Sequence, residues 1–496
     1  MPELKRNFSL FDGAGNPSYS TIDELNALGD RTADAEFMLT YWDRVNDIIL
    51  GGGAIRAKGQ QYLPKLLHET QSDYDFRLQT SKFTNVYRDI VEGLAARPFE
   101  QPITLAADTL PEIMDFVDDV DGAGNNLTVF AHDVFFNGVN SGVDWIFVDY
   151  TNTAEIGAEP TLAEEKALGV RPFFSRIAAA NVLEVRFEVI AGAEKITLMR
   201  IVEQKNGSNF VRVFFDNGSG NVFWELYQEI EQKTKQDAKY MFVSSGPITI
   251  DVIPMVPFVT GRRVGRAYKY HMPLSDAAEL QIELYQQESG LKNLKTVGAF
   301  GILAGQGVNP ATDKNGDPVT ATVGPKSVLY APPVTKGTSV VTGRWEWIVP
   351  DASIFNFLGG DVKDTINQLR ELGKQPLTAQ SGNVTVISST VAARKGNSAV
   401  QIWAFALKNA LENALLLVAK WKNLNDYEPN VDVFTDFGAT DSATEASMTL
   451  LEMRKNGDLS QETLWEENKR IGVLSDDFDA DAEREKLLKE FPGDEI

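Results

Sequence analysis

The sequence predicts an α+β protein, helical toward both ends and built around an antiparallel β meander. Three observations carry this. Apolar residues recur at helical spacing at Phe83, Val86, Tyr87, Ile90, Val91 and Leu94, and again at Trp403, Leu407, Ala410, Leu411, Ala414, Val418 and Trp421. Between residues 145 and 258 the period shortens to two, with Leu183, Val185, Phe187 and Val189 alternating with polar residues. Asn206-Gly207 and Asn217-Gly218 punctuate that stretch with the residue pair that adopts positive φ at both centres of a tight hairpin.

Taken in order, residues up to about Asp34 are rich in Gly, Asn, Ser and Pro and read as an irregular arm. The helix at 83–94 should end at Arg97-Pro98, because a residue before proline avoids the helical region. A second helix is expected at 127–139. The meander follows and closes on Ile253-Pro254-Met255-Val256-Pro257-Phe258, where two prolines point to an edge strand or an extended exit. Ser275 is a suitable N-cap for a helix to about Ser289, with Gly290 as its stop. Gly-Pro, Pro-Pro and Asn-Gly punctuation around short apolar runs marks a small β-rich module at 301–350. A helix at 353–372 would be roughly 30 Å long at about 1.5 Å per residue. Beyond Pro376 the chain turns small and polar as far as Gly396, and a long uncommitted loop in a compact protein is usually functional. The longest helix comes next, then a short strand at 431–434. Gly457 stops one helix of the final part, Ser460 caps another, and the residues after Asp476 are strongly acidic.

Composition excludes several chemistries. A chain of 496 residues should hold about three packed units. It has no cysteine, so disulfides, thiolate metal sites and cysteine nucleophiles are absent together. Its three histidines (His68, His132 and His271) show no zinc-binding spacing. The most apolar helix carries Lys408 and Glu412, which a membrane span disfavours, and Met1 to Asn7 lack the apolar core of a secretory signal. The net charge of −23 argues against tight binding to a polyanion, though it also serves solubility.

The motifs give no catalytic constellation. Gly51-Gly52-Gly53 lacks the Gly-Lys-Ser/Thr of a phosphate loop and reads as a helix break. In Asp313-Lys314-Asn315-Gly316-Asp317 the glycine arrives too early for a calcium loop, and a β-turn is the better account. Asp118-Asp119-Val120-Asp121 reads as a solvated turn rather than a cation site. Residues 448–474 resemble a helix-turn-helix, but Glu462, Glu466 and Glu467 precede Lys469 and Arg470, which favours simple helical-hairpin packing. The first expectation is therefore a structural subunit, not an enzyme.

The order of the elements resembles that of the portal proteins of tailed bacteriophages. Local wording carries the likeness further. Gly51-Gly52-Gly53-Ala54-Ile55-Arg56-Ala57-Lys58-Gly59 with Tyr62-Leu63-Pro64, then Tyr74, Phe83-Thr84-Asn85 and Arg97-Pro98, are similar to the amino-terminal signature of a poorly characterised portal-like family. Ile253-Pro254-Met255-Val256-Pro257-Phe258, Pro273-Leu274-Ser275-Asp276 and Gly301-Ile302-Leu303-Ala304-Gly305 continue it in order. The likeness runs from about Trp42 onward and leaves the arm and the tail after Asp476 uncovered.

The resemblance implies a portal-type architecture: an arm (1–34), a helical and β-meander wing (35–274), and a first stem helix (275–299). A small α/β clip (300–350), a second stem helix (351–377) and a tunnel loop (378–397) come next, then a long wing helix with a strand (398–438) and a helical crown with an acidic tail (439–496). It implies a homo-oligomeric ring, usually of twelve, at one capsid vertex in the virion, assembled in the host cytoplasm. Double-stranded DNA would pass through it, held weakly and without specificity. The terminase large subunit and then head–tail adaptor proteins would dock on the clip, with Lys314, Asn315, Lys326 and Lys336 as candidates, and the major capsid protein would surround the ring. Thr378, Gln380, Ser381, Asn383, Thr385, Ser388, Arg394 and Lys395 would face the channel. Arg394 and Lys395 could equally pair with a neighbouring subunit's carboxylates. No catalytic residue, cofactor, metal or membrane is implied. Two readings from other classes stand beside this one: a soluble hydrolase with an unmarked carboxylate pair, and a helix-turn-helix DNA-binding protein.

Overall fold

The computed structural model describes residues 18–151, 170–217, 221–234, 237–300, 302–306, 314–315, 334–336, 339–341, 343–348, 352–372, 386–424, 427–435, 437, 439–470, 473–474, 478–480 and 482–484. Its helices are α1 (Ile22–Ala27), α2 (Ala33–Leu50), α3 (Gly52–Ala57), α4 (Gln71–Thr80), α5 (Val86–Ala96), α6 (Pro111–Val117), α7 (Leu127–Ser141), α8 (Ser275–Phe300), α9 (Ala352–Leu372), α10 (Val386–Trp421), α11 (Ala439–Lys455) and α12 (Gln461–Arg470). The strands are β1 (Thr104–Leu105), β2 (Val143–Tyr150), β3 (Pro172–Ile177), β4 (Val182–Ile190), β5 (Ala193–Lys205), β6 (Ser208–Asp216), β7 (Val222–Glu229), β8 (Tyr240–Ile248) and β9 (Met255–Val259). They continue with β10 (Arg262–Arg263), β11 (Tyr270–His271), β12 (Ile302–Gln306), β13 (Val334–Lys336), β14 (Ser339–Val341), β15 (Arg344–Ile348) and β16 (Val431–Asp432). The chain forms two compact units: Met1–Asn46 with Arg88–Asp276 and Arg370–Ile496, and Asp47–Tyr87 with Ala277–Leu369.

The meander forms as the alternation requires. Strands β4 to β8 make one antiparallel sheet in chain order. At the β5–β6 turn Asn206 and Gly207 take φ of 52° and 78°, the positive pair that a two-residue hairpin needs. One face of this sheet buries Leu183, Leu198, Val211, Val213, Phe215, Tyr227 and Tyr240 against Tyr19 and Leu28.

The stretch expected to be an irregular arm is thus partly core. Thr21 and Glu24 form a capping box on α1, with Glu24 N–H donating to Thr21 Oγ1 at 3.4 Å and Thr21 N–H to Glu24 Oε2 at 3.1 Å. Arg200, paired with Glu184 at 2.7 Å, donates to the carbonyls of Leu28 and Asp30 and so satisfies the end of that helix. A Gly- and Ser-rich composition concealed a helix of only six residues.

A three-stranded sheet, ordered β3-β2-β9, carries α7 and α10. The two prolines of the β9 region sit at a sheet edge, with Pro257 opposite Trp145. Helix α10 packs Trp403, Leu407, Ala410, Leu411, Ala414 and Val418, all at most 4% exposed, into this layer. The segment Ala399–Trp421 has the length and apolarity of a membrane span, and the same residues are its buried face in this core. Helix α7 approaches β9 so closely that a Cβ on Gly138 would lie 2.3 Å from the Phe258 ring. The Asp119 carboxylate accepts the Gly122 and Gly124 amides and pairs with Arg171 at 2.7 Å, while Asp121 accepts the Ala123 and Asn125 amides. This is the turn that the sequence favoured over a cation site.

Two other expectations differ. Gly290 does not stop α8, which continues to Phe300. The glycine costs about 1 kcal/mol in a helix interior, and the buried Glu288 and Ser289 with the half-buried Leu291 and Leu294 carry the helix past it. The loop expected to reach Gly396 ends earlier, because α10 begins at Val386. Val391-Ala392-Ala393-Arg394-Lys395 is rich in helix formers and continuous with the amphipathic stretch after it.

Asp144 on β2 is fully buried, with Arg176 Nη1 3.3 Å from Oδ2. Burial raises its carboxyl to about 7, opposed by Arg176 and reinforced by Asp133. Below the unfolded value both states are protonated. Between about pH 4 and 7 the folded state holds a proton that the unfolded chain has released, so this group's contribution to stability falls as pH rises, by on the order of 4 kcal/mol. Replacing Asp144 with Asn should flatten that slope, read as amide exchange of residues 143–150 between pH 4 and 7. An unchanged slope would exclude Asp144 as its source.

Candidate functional site

The region singled out by sequence begins with α8, whose 26 residues span roughly 39 Å at about 1.5 Å each. Its buried face includes Gln281, Leu284, Tyr285 and Glu288, at helical positions i, i+3, i+4 and i+7. Three of those four, Gln281, Tyr285 and Glu288, have side chains that need polar partners, and each has specific ones. Glu288, 4% exposed, accepts Lys82 Nζ at 2.6 Å, Thr84 Oγ1 at 2.7 Å and the Thr84 amide at 3.0 Å. Gln281 accepts the Tyr87 amide at 2.9 Å and donates to the Thr84 carbonyl at 2.9 Å. Tyr285 donates to Ser81 Oγ at 3.0 Å and meets Phe83 edge-on. The segment 81–87 is thereby fastened to the first half of α8.

From Phe300 the chain enters β12, which pairs antiparallel with β15 from Ile302↔Ile348 to Gln306↔Arg344. Helix α9 then leaves from Ala352. Two long helices therefore flank a small β module whose first and last described strands are paired. On α9, Thr365 and Leu369 are buried while Leu358, Val362 and Ile366 are partly so. Beside that face a stripe is open: Ile354 is 45% and Phe357 74% exposed, and Asp361 and Asp364 continue it.

The same unit holds a second built feature. Arg77, 4% exposed, forms a two-pronged pair with Glu69 (Nε–Oε1 2.7 Å, Nη2–Oε2 2.8 Å) and donates to the Pro64 carbonyl at 2.8 Å. These bonds hold the Arg77 guanidinium above and the Glu69 carboxyl below their usual ranges. Glu69 also accepts the Leu66 amide at 2.9 Å, closing a turn in which His68 takes the left-handed φ of 67°. The turn holds Leu66 and Leu67 out, 59% and 87% exposed. Sequence reasoning quoted Tyr62-Leu63-Pro64 as a motif and missed this turn. Its signal is a Leu-Leu pair between Pro64 and the N-cap Thr70 that fits neither the helical nor the strand period.

Of the candidate channel residues, Thr378, Gln380, Ser381, Asn383 and Thr385 lie outside the described residues, as does Lys326 of the clip set. Ser388, Arg394 and Lys395 are placed on α10 and not on a loop. Lys314 and Asn315 form an exposed turn, and Lys336 ends β13 opposite Ser339. The structure therefore does not gather the candidates into one described site. Among the described residues no cluster of three or more His, Asp or Glu could hold a metal. A cleft of about 420 Å³ between β5, β9 and α10 contains Arg263 and Glu194, already paired at 2.8 Å. The α11–α12 hairpin turns at Gly457 (φ 80°), Ser460 Oγ caps α12, and Leu464 and Trp465 are its buried face.

Residues 273–422 match the family model described as a domain of unknown function (DUF4055). That span takes in α8, the β module, α9 and α10. No curated protein sequence matches the chain. Among solved structures, a chain from the neck of the native GTA (gene transfer agent) particle computed with C12 symmetry is similar at TM-score 0.40 and 12% identity, covering 76% of this chain and 88% of that one. A chain from the neck of the empty GTA particle computed with C6 symmetry is similar at TM-score 0.41 and 11% identity, covering 83% and 96%.

If Glu288 anchors α8, Glu288→Ala strips Thr84 and Lys82 of their acceptor and should lower local stability by about 2 kcal/mol. Amide exchange of residues 277–289 should accelerate by roughly thirtyfold, and less in Glu288→Gln, which keeps an acceptor oxygen. Equal exchange in all three chains would remove the carboxylate from that role.

Proposed function

We propose that the chain is the subunit of a phage-type portal ring, a non-enzymatic conduit for double-stranded DNA at one vertex of a particle. The observation that carries this reading is the order of the described elements: helices and a β meander, α8, a joined β module, α9, then after a polar stretch of sequence the 36-residue α10, and a helical end. In this reading α8 and α9 form the stem and residues 302–348 the clip, on which terminase and then head–tail adaptors dock. Residues 378–385 and the first turns of α10 face the DNA. The major capsid protein surrounds the ring, and α11 and α12 form the crown.

The electrostatics suit a passage. At −23 per subunit, a ring of such chains repels a polyanion over most of its surface, and neutral Ser, Thr, Asn and Gln side chains offer phosphate contacts without a strong grip. DNA contact in this scheme is weak, so translocation is not opposed by adhesion.

Native mass spectrometry and negative-stain microscopy should find closed rings of the purified chain, with the twelve subunits that the portal resemblance implies. A compact monomer at every salt and protein concentration would end the portal reading. Shortening residues 378–385 should leave the ring intact and impair DNA packaging or retention, and normal packaging would remove the segment from the channel.

A further inference from the structure

We propose that the leucine turn at 65–68 seats on the open stripe of α9 in a second copy of the chain, making the head-to-tail contact between neighbours. This rests on the ring reading and names the surface that builds the ring.

The turn is held out by built contacts. A buried arginine–carboxylate pair with a third bond to Pro64, together with a left-handed His68, fixes a conformation whose result is the exposure of Leu66 and Leu67. A turn serving only to connect α3 and α4 would not need that clamp, and exposed large apolar side chains cost solubility unless something covers them. The α9 stripe is the matching surface. Ile354, Phe357, Asp361 and Asp364 fall at i, i+3, i+7 and i+10, so one face changes from apolar to acidic within about 15 Å. The turn has the complementary make-up: Leu66 and Leu67 flanked by Lys65 and His68, all four exposed. Lys65 meets Gln71 only at 3.4 Å. Apolar residues can meet apolar, and the Lys65 ammonium can meet Asp361 and Asp364.

The occupant is another copy because both halves of the contact are present in one chain, and in the same compact unit. Leu67 at 87% and Phe357 at 74% exposure do not cover each other within it. Two different surfaces joined in this way make a heterologous interface, which closes into a ring when the rotation per subunit divides the circle.

The absence of cysteine makes the contact testable by cross-linking in the full-length chain. Leu67→Cys and Phe357→Cys chains of different mass, mixed and oxidised, should give a disulfide-linked heterodimer in high yield. Leu67→Asp combined with Lys65→Glu should lower the ring-to-monomer ratio at least tenfold with an unchanged circular dichroism spectrum. Three results would overturn the contact. The first is a dominant product that joins two copies of the Leu67→Cys chain to each other. The second is a thiol in the Leu67→Cys chain that stays open to maleimide inside assembled rings. The third is a ring population unaffected by the double substitution. Each of these leaves the ring reading standing. Failure of the unmodified chain to form rings takes down that reading and the contact with it.

Discussion

A carboxylate almost sealed from water decides where α8 stands. Glu288 satisfies a lysine, a hydroxyl and a backbone amide, all from residues 82 and 84, and nothing apolar could replace those three acceptor contacts. Helix propensity alone would allow α8 to rotate or slide, since a helix is stable in any register that buries enough surface. Polar partners with fixed directions remove that freedom, and Gln281 repeats the constraint two turns earlier. The helix therefore reaches the β module with its register already set, and β12 and β15 can pair over five residues on each strand.

This polar face also explains what could and could not be read from the residues. The meander and α10 were legible because their buried positions are apolar at the period of their element: Val211, Val213 and Phe215 on β6, and Leu407, Leu411, Ala414 and Val418 on α10. The buried side of α8 was not, because Gln281 and Glu288 look like surface residues until their partners at 82–87 are known. Leu280 and Ile282 are only partly buried, while Leu284 is sealed. The capping box at Thr21 was readable as a motif and was masked by the composition around it. The turn at 65–68 could be suspected but not built, since its clamp joins Glu69 to Arg77 across the start of α4 and its exposure depends on a left-handed His68. Of the residues expected in the channel, those on α10 were read as a loop for one reason: Ser388, Ser389 and Thr390 suggested one, while the helix formers after them extended α10 backward.

Charge and shape separate two kinds of contact in the proposed assembly. Contact with the conducted polymer is kept weak by net repulsion. Contact between copies is kept specific by placing the exposed Lys65 ammonium of one turn where an acidic helical face can meet it. A uniformly acidic surface could do the first but not the second, so the distribution of charge carries more information than its sum.

The meeting of Gly138 with Phe258 reaches beyond this one molecule. A methyl group on residue 138 would overlap the ring, so helix α7 and strand β9 can keep their spacing only if the two positions change together. In an alignment of relatives the pair should therefore appear as a covarying couple, glycine with a large aromatic or a bulkier residue with a small one. Their joint history would record the distance between the two elements more faithfully than either residue's own variability.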